Sequence, residues 1–316
     1  MMKQYIVRRL LLASVTLIGV SLLIFFIMRA IPGDVAVSIL GEGANEQTVA
    51  ELREHLGLDD PWYVQYGRWV KNMVDGDMGR SLFLANKPVT ELMAEHFPVT
   101  LNLSVYTMVV AVVLGVALGV ISGLFHDTWI DYACRVFSVT GLSIPVFWLG
   151  LMILLTMVRL FAWTPELVWV SPFDSFWRNL QQMFWPAVTL GYFQVAFIAR
   201  MTRSSILEVL VEEYIRTARA KGLRERMVVM KHALRNVVIP IVTIGSLQFV
   251  ALLGVVVVTE RVFNLKGWGA LLVSGVVNHD YPLVQTMIFS FAGLVIVANL
   301  CTDILYGWLD PRIRYH

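Results

Sequence analysis

The chain has 316 residues, of which 57% are hydrophobic and only 15% charged, and its mean hydropathy is +0.68. Soluble domains carry about a quarter charged residues, so this composition excludes a soluble globular protein and points to a chain that crosses a membrane several times. The net charge of +2 says little as a total; where the charges stand along the chain is what informs.

The first apolar run, residues 10–28, follows Lys3, Arg8 and Arg9. At about 19 residues, or roughly 28 Å of helix, it is long enough to cross a bilayer and longer than a signal-peptide core. No small-x-small cleavage site follows in residues 29–34. It is therefore expected to be a retained first span with its amino end in the cytoplasm. Residues 30–98 then form a long external loop that is acidic, with Asp59, Asp60, Asp75, Asp77, Glu91 and Glu95. Val49, Leu52 and Leu56 recur at helical spacing before Gly57, a residue placed to end a helix. After Pro61, the residues Trp62, Gln65, Tyr66, Trp69 and Met73 predict a second helix closing at Gly76. A loop with structure of its own reads as a contact site or as a lid over the helix ends.

Further apolar stretches at 101–124, 136–161, 184–199, 237–259 and 284–305 bring the total to about six spans. Gly115, Gly119 and Gly123 place small residues four apart, the spacing that lets two membrane helices approach closely. The third stretch is made irregular by Gly141, Ser143, Pro145 and Gly150, and the fourth is interrupted by Pro186, Gly191 and Gln194. The fifth carries a stripe of Gly245, Ser246, Gln248 and Gly254. Polar residues inside a membrane face the bundle interior or a watery path, so Ser143, Pro145, Gly150, Gly245, Gln248 and Gly254 are expected either to line a route through the membrane or to pack helices. Asp303, near the inner end of the sixth stretch, reads as an interfacial residue.

Between residues 200 and 236, Arg200, Arg203, Arg216, Arg219, Lys221, Arg224, Arg226, Lys231 and Arg235 face only Glu208, Glu212, Glu213 and Glu225. Lys and Arg are retained on the cytoplasmic side, so this loop orients the chain with both termini inside; Arg312 and Arg314 in the tail agree. Within it, Glu213, Tyr214, Arg216, Thr217, Ala218, Arg219, Ala220, Lys221 and Gly222 combine charge with little bulk, and we read the segment as a docking element for another protein.

Several chemistries find no footing. No G-x-x-x-x-G-K-[ST] cradle is present, and no Gly is followed directly by Lys, so the chain is not expected to hydrolyse ATP by itself. His55, His96, His126, His232, His279 and His316 are scattered, and Cys134 and Cys301 have no neighbours at metal-ligand spacing, so no metal site is expected. No Gly-x-Ser-x-Gly elbow occurs. A self-sufficient secondary carrier stays open as an alternative; inverted repeats and charged midplane residues would mark it, and neither is visible.

The run from Glu213 to Leu223, with Lys231–Asn236 and Ile239–Thr243, resembles the cytoplasmic "EAA" loop of bacterial ABC-importer permeases, and more narrowly the dipeptide and oligopeptide branch, whose relatives also import glutathione, nickel complexes and opines. The likeness runs nearly end to end. It includes Arg8-Arg9-Leu10, Pro32-Gly33-Asp34, residues 56–61, Gln65-Tyr66, residues 76–81, residues 97–101, residues 260–264, Gly267-Trp268-Gly269, Asp280-Tyr281-Pro282 and residues 310–315. The spacing from Glu213 to Gly222 is longer than in the sugar-permease form of the loop.

The resemblance implies an all-α membrane protein, the transmembrane domain of a type I importer. Residues 1–98 would be a span with its external loop, residues 99–316 the permease domain, and residues 200–236 the coupling loop. Partners would be a second, similar permease, two cytoplasmic ATPases holding ATP and Mg, and an external solute-binding protein contacted through Asp59, Asp60, Trp62, Asp280 and Tyr281. No cofactor is expected in this chain, and no nucleic acid among its partners.

Overall fold

The structure is a computed structural model that describes residues 2–30, 35–40 and 45–309. Pro32-Gly33-Asp34 and residues 310–315, with Arg312, Arg314 and His316, lie outside the described residues. In chain order the helices are α1 (Met2–Ala30), α2 (Val35–Leu40), α3 (Glu46–Leu56), α4 (Trp62–Val74), α5 (Val89–Leu124), α6 (Trp129–Ser143) and α7 (Val146–Phe161). They continue with α8 (Phe176–Leu210), α9 (Glu213–Ala220), α10 (Glu225–Met227), a π-helical turn (Val228–Ala233), α11 (Leu234–Val262), α12 (Trp268–Val277) and α13 (Tyr281–Leu309). Among the described residues the fold is all-α.

Among the described residues, four helical stretches are long and apolar enough to cross a membrane: Val7–Ala30, Val89–Leu124, Glu225–Val262 and Tyr281–Ile304. They contain the expected first, second and fifth spans and all but the last residue of the sixth. The expected third span is two helices, α6 and α7, bent by 104°; counted as one broken span they make a fifth. The break has a local cause. Ile144 precedes Pro145, whose ring excludes the helical region for its neighbour, and Ile144 is extended at φ −87°, ψ 125°. The expected fourth span falls inside α8, a helix of 35 residues that does not meet the same measure of length and apolarity. Arg178, Arg200 and Arg203 lower its hydropathy, and so do Asn179, Gln182 and Gln194, which are buried.

The described chain divides into two compact units, one of Val99–Leu265 with Ala298–Leu309, the other of Lys3–Pro98 with Lys266–Val297. In the first unit α8 is the central helix, packed by α6, α7 and α11. Gly115, Gly119 and Gly123 let α5 lie against it. A Cβ at Gly119 would stand 2.6 Å from the Ala199 carbonyl oxygen and 2.5 Å from Thr202 Cβ, and one at Gly115 2.7 Å from Ile198 Cβ. Lipid tails are as apolar as the helices, so this close approach, rather than a hydrophobic drive, holds the crossing together.

In the second unit the loop between the first two spans is helical, as expected. Asn45 accepts from the Gln47 N–H at 3.2 Å to start α3, and Gly57, at φ 63°, ends it by donating to the carbonyls of Arg53 and Glu54. α4 begins directly after Pro61 and ends two residues before Gly76, which takes φ 83°. Val89, Leu92 and Met93 at the start of α5 pack with Trp268 and Leu271 of α12 and with Leu283 and Met287 of α13. The Trp268 indole N–H donates to the Met93 carbonyl at 2.7 Å.

Candidate functional site

The α8 helix stops at a turn where the Glu212 N–H donates to the Val209 carbonyl at 3.1 Å, and Glu212 turns extended (φ −65°, ψ 146°) to launch α9. Ile215 and Ala218, three positions apart, form the buried stripe of α9 and pack with Ile206, Val228, Ala233, Val237 and Ile241. The other face is exposed: Glu213, Tyr214, Arg216, Thr217, Arg219, Ala220, Lys221 and Gly222. Ala218 therefore anchors the segment instead of joining the docking face, a correction that follows from its inward register. Gly222 adopts φ +74°, which a non-glycine residue takes only with strain, and a Cβ there would meet nothing within 4 Å.

The charges on this face are held in place. Arg216 pairs with Glu213 at 2.9 Å. Arg219 donates twice to Glu225, at 2.6 and 3.1 Å, which bridges α9 to α10. The Glu225 carboxylate raises the Arg219 guanidinium above its ordinary pKa, with burial opposing. The Tyr214 hydroxyl accepts from the Asn236 side chain at 2.5 Å, tying the docking face to α11. Arg224, Lys231 and Arg235 remain exposed beside it.

A second polar centre, absent from the sequence expectations, stands in the same unit. The Asp131 carboxylate is fully buried. It accepts from Arg203 Nε at 2.9 Å and from a second guanidinium nitrogen at 2.8 Å, from Ser122 Oγ at 2.5 Å and from the Asp127 N–H at 3.2 Å, with Arg135 Nε 3.5 Å away. One side chain thereby joins the end of α5, the following turn, α6 and α8, the helix that leads into α9. The available sequence signal is a lone acid early in an apolar helix; its partner 72 residues on is invisible without the fold. Thr100 Oγ1 likewise donates to the fully buried Glu260 at 2.6 Å.

The six residues expected along a path divide. Ser143 and Pro145, at the bend between α6 and α7, are exposed. Gly150 is packed, since a Cβ there would lie 3.2 Å from Thr189 and from Val262. Gly245 is buried and Gly254 exposed, and at both a built Cβ meets nothing within 4 Å. Gln248 is nearly buried, and its carbonyl accepts from Gln194 Nε2 at 3.2 Å.

Of the five residues expected to meet a binding protein, three are at the surface. Asp59 is exposed, 3.3 Å from Arg53. Asp60 pairs with Arg68 at 2.7 Å, and Trp62 is half exposed. Asp280 and Tyr281 are buried. The Asp280 carboxylate accepts from Ser81 Oγ at 2.5 Å and from the N–H groups of Phe83 and Leu283, so it fixes a loop and caps α13. Burial removes both from a contact surface.

Comparison with known proteins agrees with this architecture. The profile of the binding-protein-dependent transport system inner membrane component matches residues 115–315, and that of the N-terminal part of the membrane component of such systems matches residues 2–104. The chain is 38% identical to the dipeptide transport system permease protein of Alkalihalophilus pseudofirmus, over 99% of this chain and all of the relative. It is 41% identical to the glutathione transport system permease protein of Escherichia coli O6:H1, again over 99% of this chain and all of the relative. Among solved structures, the inward-facing methionine ABC transporter has a similar fold, with a TM-score of 0.57 at 18% identity over 70% of this chain and 97% of that one. Matched along nearly its whole length, the chain belongs to the family of binding-protein-dependent transport system inner membrane components: it is a multi-pass permease subunit of an ABC importer, set in the inner membrane.

Proposed function

We propose that this permease carries small peptides or peptide-like solutes inward, that α9 is the element through which partner ATPases drive it, and that it forms half of the path beside a second, similar permease. The curated relatives named for dipeptide and glutathione transport support the solute class. The observation that carries the coupling role is the build of α9: a short helix held from beneath by Ile215 and Ala218, and presenting paired charges around Ala220 and Gly222. Such a face fits a groove on another protein, with the basic residues fixing orientation. ATP and Mg would bind in the ATPases, since this chain has no phosphate-binding loop. The exposed Asp59, Asp60 and Trp62 are the candidates for meeting the solute-binding protein.

The test is a pair of substitutions in the full importer. Ala220→Trp adds bulk to the docking face and should abolish uptake and ATPase co-purification while leaving insertion intact. Gly222→Asn tolerates the left-handed backbone and adds little bulk, so it should retain most uptake. Normal transport by Ala220→Trp with ATPases still bound would remove α9 from the interface.

A further inference from the structure

The segment between α4 and α5 is a closed loop with an apolar tip. Its ends meet where the Val89 N–H donates to the Gly79 carbonyl at 3.0 Å and the Ser81 N–H to the Lys87 carbonyl at 2.9 Å. Compact loops with ends this close often carry function. Inside it, Ala85 takes φ 53° and Asn86 φ 58°. Asparagine tolerates that region, but alanine is strained there, and such strain persists only where the surrounding structure imposes it.

The surroundings do impose it. The buried Asp280 carboxylate accepts from Ser81 Oγ at 2.5 Å and from the Phe83 N–H at 3.2 Å. Ser81 Oγ in turn accepts from the Leu84 N–H at 3.0 Å, and Arg80 donates to the Asn86 carbonyl at 3.1 Å. Leu84 turns inward and packs with the cluster that includes Val89, Leu92, Trp268 and Leu283.

What this scaffold holds out is Phe83. The ring is 55% exposed, with Leu82 exposed beside it. Its backbone is already fixed, so little ordering remains to be lost when a partner covers it. The ring's surroundings are polar. Asp77, Arg80, Asn86 and Lys87 are exposed, and Lys87 stands 3.9 Å from Glu91 and 3.6 Å from Glu95 on the first turns of α5. So many exposed charges keep this level out of the hydrocarbon, and lipid tails do not cover the ring. An apolar centre with a charged rim is the build of a protein interface.

The side of the membrane follows from α5. This helix crosses the membrane between the loop and Gly123, which packs on Ile206 of α8 shortly ahead of α9. The loop therefore opens on the face away from α9.

We propose that residues 81–86 dock the solute-binding protein on which this family depends, with Phe83 as the apolar anchor and Asp280 as the positioning residue that holds its backbone. The choice of partner rests on α9 being the ATPase contact, because the aqueous protein met at the opposite face is then the binding protein. It is independent of the solute carried. Asp280 thus serves recognition from a buried place, through the residue it holds.

The test uses the complete importer in lipid nanodiscs and its purified solute-binding protein, with association followed by surface plasmon resonance. Phe83→Ala should weaken binding about tenfold or more, as loss of an interface anchor does. Asp280→Asn should weaken it several-fold alone and add little to Phe83→Ala, because both act through one ring. The second permease and the ATPases should still co-purify with both variants. With the photoreactive amino acid p-benzoylphenylalanine in place of Phe83, irradiation should cross-link the binding protein. Unchanged affinity in Phe83→Ala, or cross-links only to the second permease or to lipid, would overturn the proposal. Fully additive losses would remove Asp280 from the positioning role. Asp59→Lys and Asp60→Lys, measured alongside, read the contact proposed above. Binding weakened by these but not by Phe83→Ala would sink the loop alone, while loss of the ATPases from α9 variants is read separately.

Discussion

Asp131 concentrates much of the organisation of the permease core in one carboxylate. It is fully buried, while Arg203 keeps 22% of its side chain exposed. A buried ion pair gives little net stability when intact, yet removing one partner strands the other charge. Asp131→Asn should therefore cost about 3 kcal/mol in unfolding of the detergent-solubilised protein, the low end for such pairs because Arg203 retains some solvent contact. Replacing both residues together, by Leu and Met, should recover most of that loss. An Asp131→Asn protein as stable as the native one would show that Ser122 and Arg203 hold nothing there. The same scale shows the limit of composition: Gly119 and Gly254 are both glycines in apolar helices, but Gly119 touches the backbone of α8 and Gly254 faces open space.

The elements around α9 are joined by backbone irregularities that suit moving parts. The π-helical turn Val228–Ala233 separates α10 from α11, and such turns represent one extra residue inserted into an α-helix. Its register sets which face of the α9–α10 segment the long helix α11 supports. Deleting Met230, 61% exposed and so replaceable without loss of packing, should convert the turn to ordinary helix and rotate what precedes it by about 100° relative to α11. Uptake in reconstituted vesicles should fall to background while ATP hydrolysis by the partners becomes independent of solute. Normal, solute-dependent transport by the deletion would mean that this register is irrelevant to coupling. The bend at Ile144-Pro145 is the counterpart in α6 and α7, where a proline fixes the break.

At the scale of the molecule, transport needs two packings of similar free energy, biased by the nucleotide state of the partners. In an importer reconstituted with Cys134 and Cys301 replaced, single cysteines at Ser143, Gly245, Gln248 and Gly254 should react with a polar thiol reagent, at rates that change when nucleotide is trapped. Gly150 is a poor site for this measurement, since Thr189 and Val262 already close on it. If all four positions are inert in every nucleotide state, these faces are packed or lipid-covered and the path runs elsewhere.

The sequence alone determined that the chain is an all-helical membrane protein, where its long apolar helices run, and which segment carries the charged α9 face, because length, apolarity and Lys/Arg clustering are local properties. Gly57 and Pro61 marked helix ends for the same reason, each acting through its own backbone. Only the tertiary structure decided that Ala218 faces inward, that Asp280 caps a helix, and that Asp131 meets Arg203. Each of these depends on which residues distant in sequence come within a few ångströms. A carboxylate looks the same in a sequence whether it ends in solvent, as at Asp59, or buried between four hydrogen-bond donors, as at Asp131. Burial and partnership are properties of the packing, and only the fold supplies them.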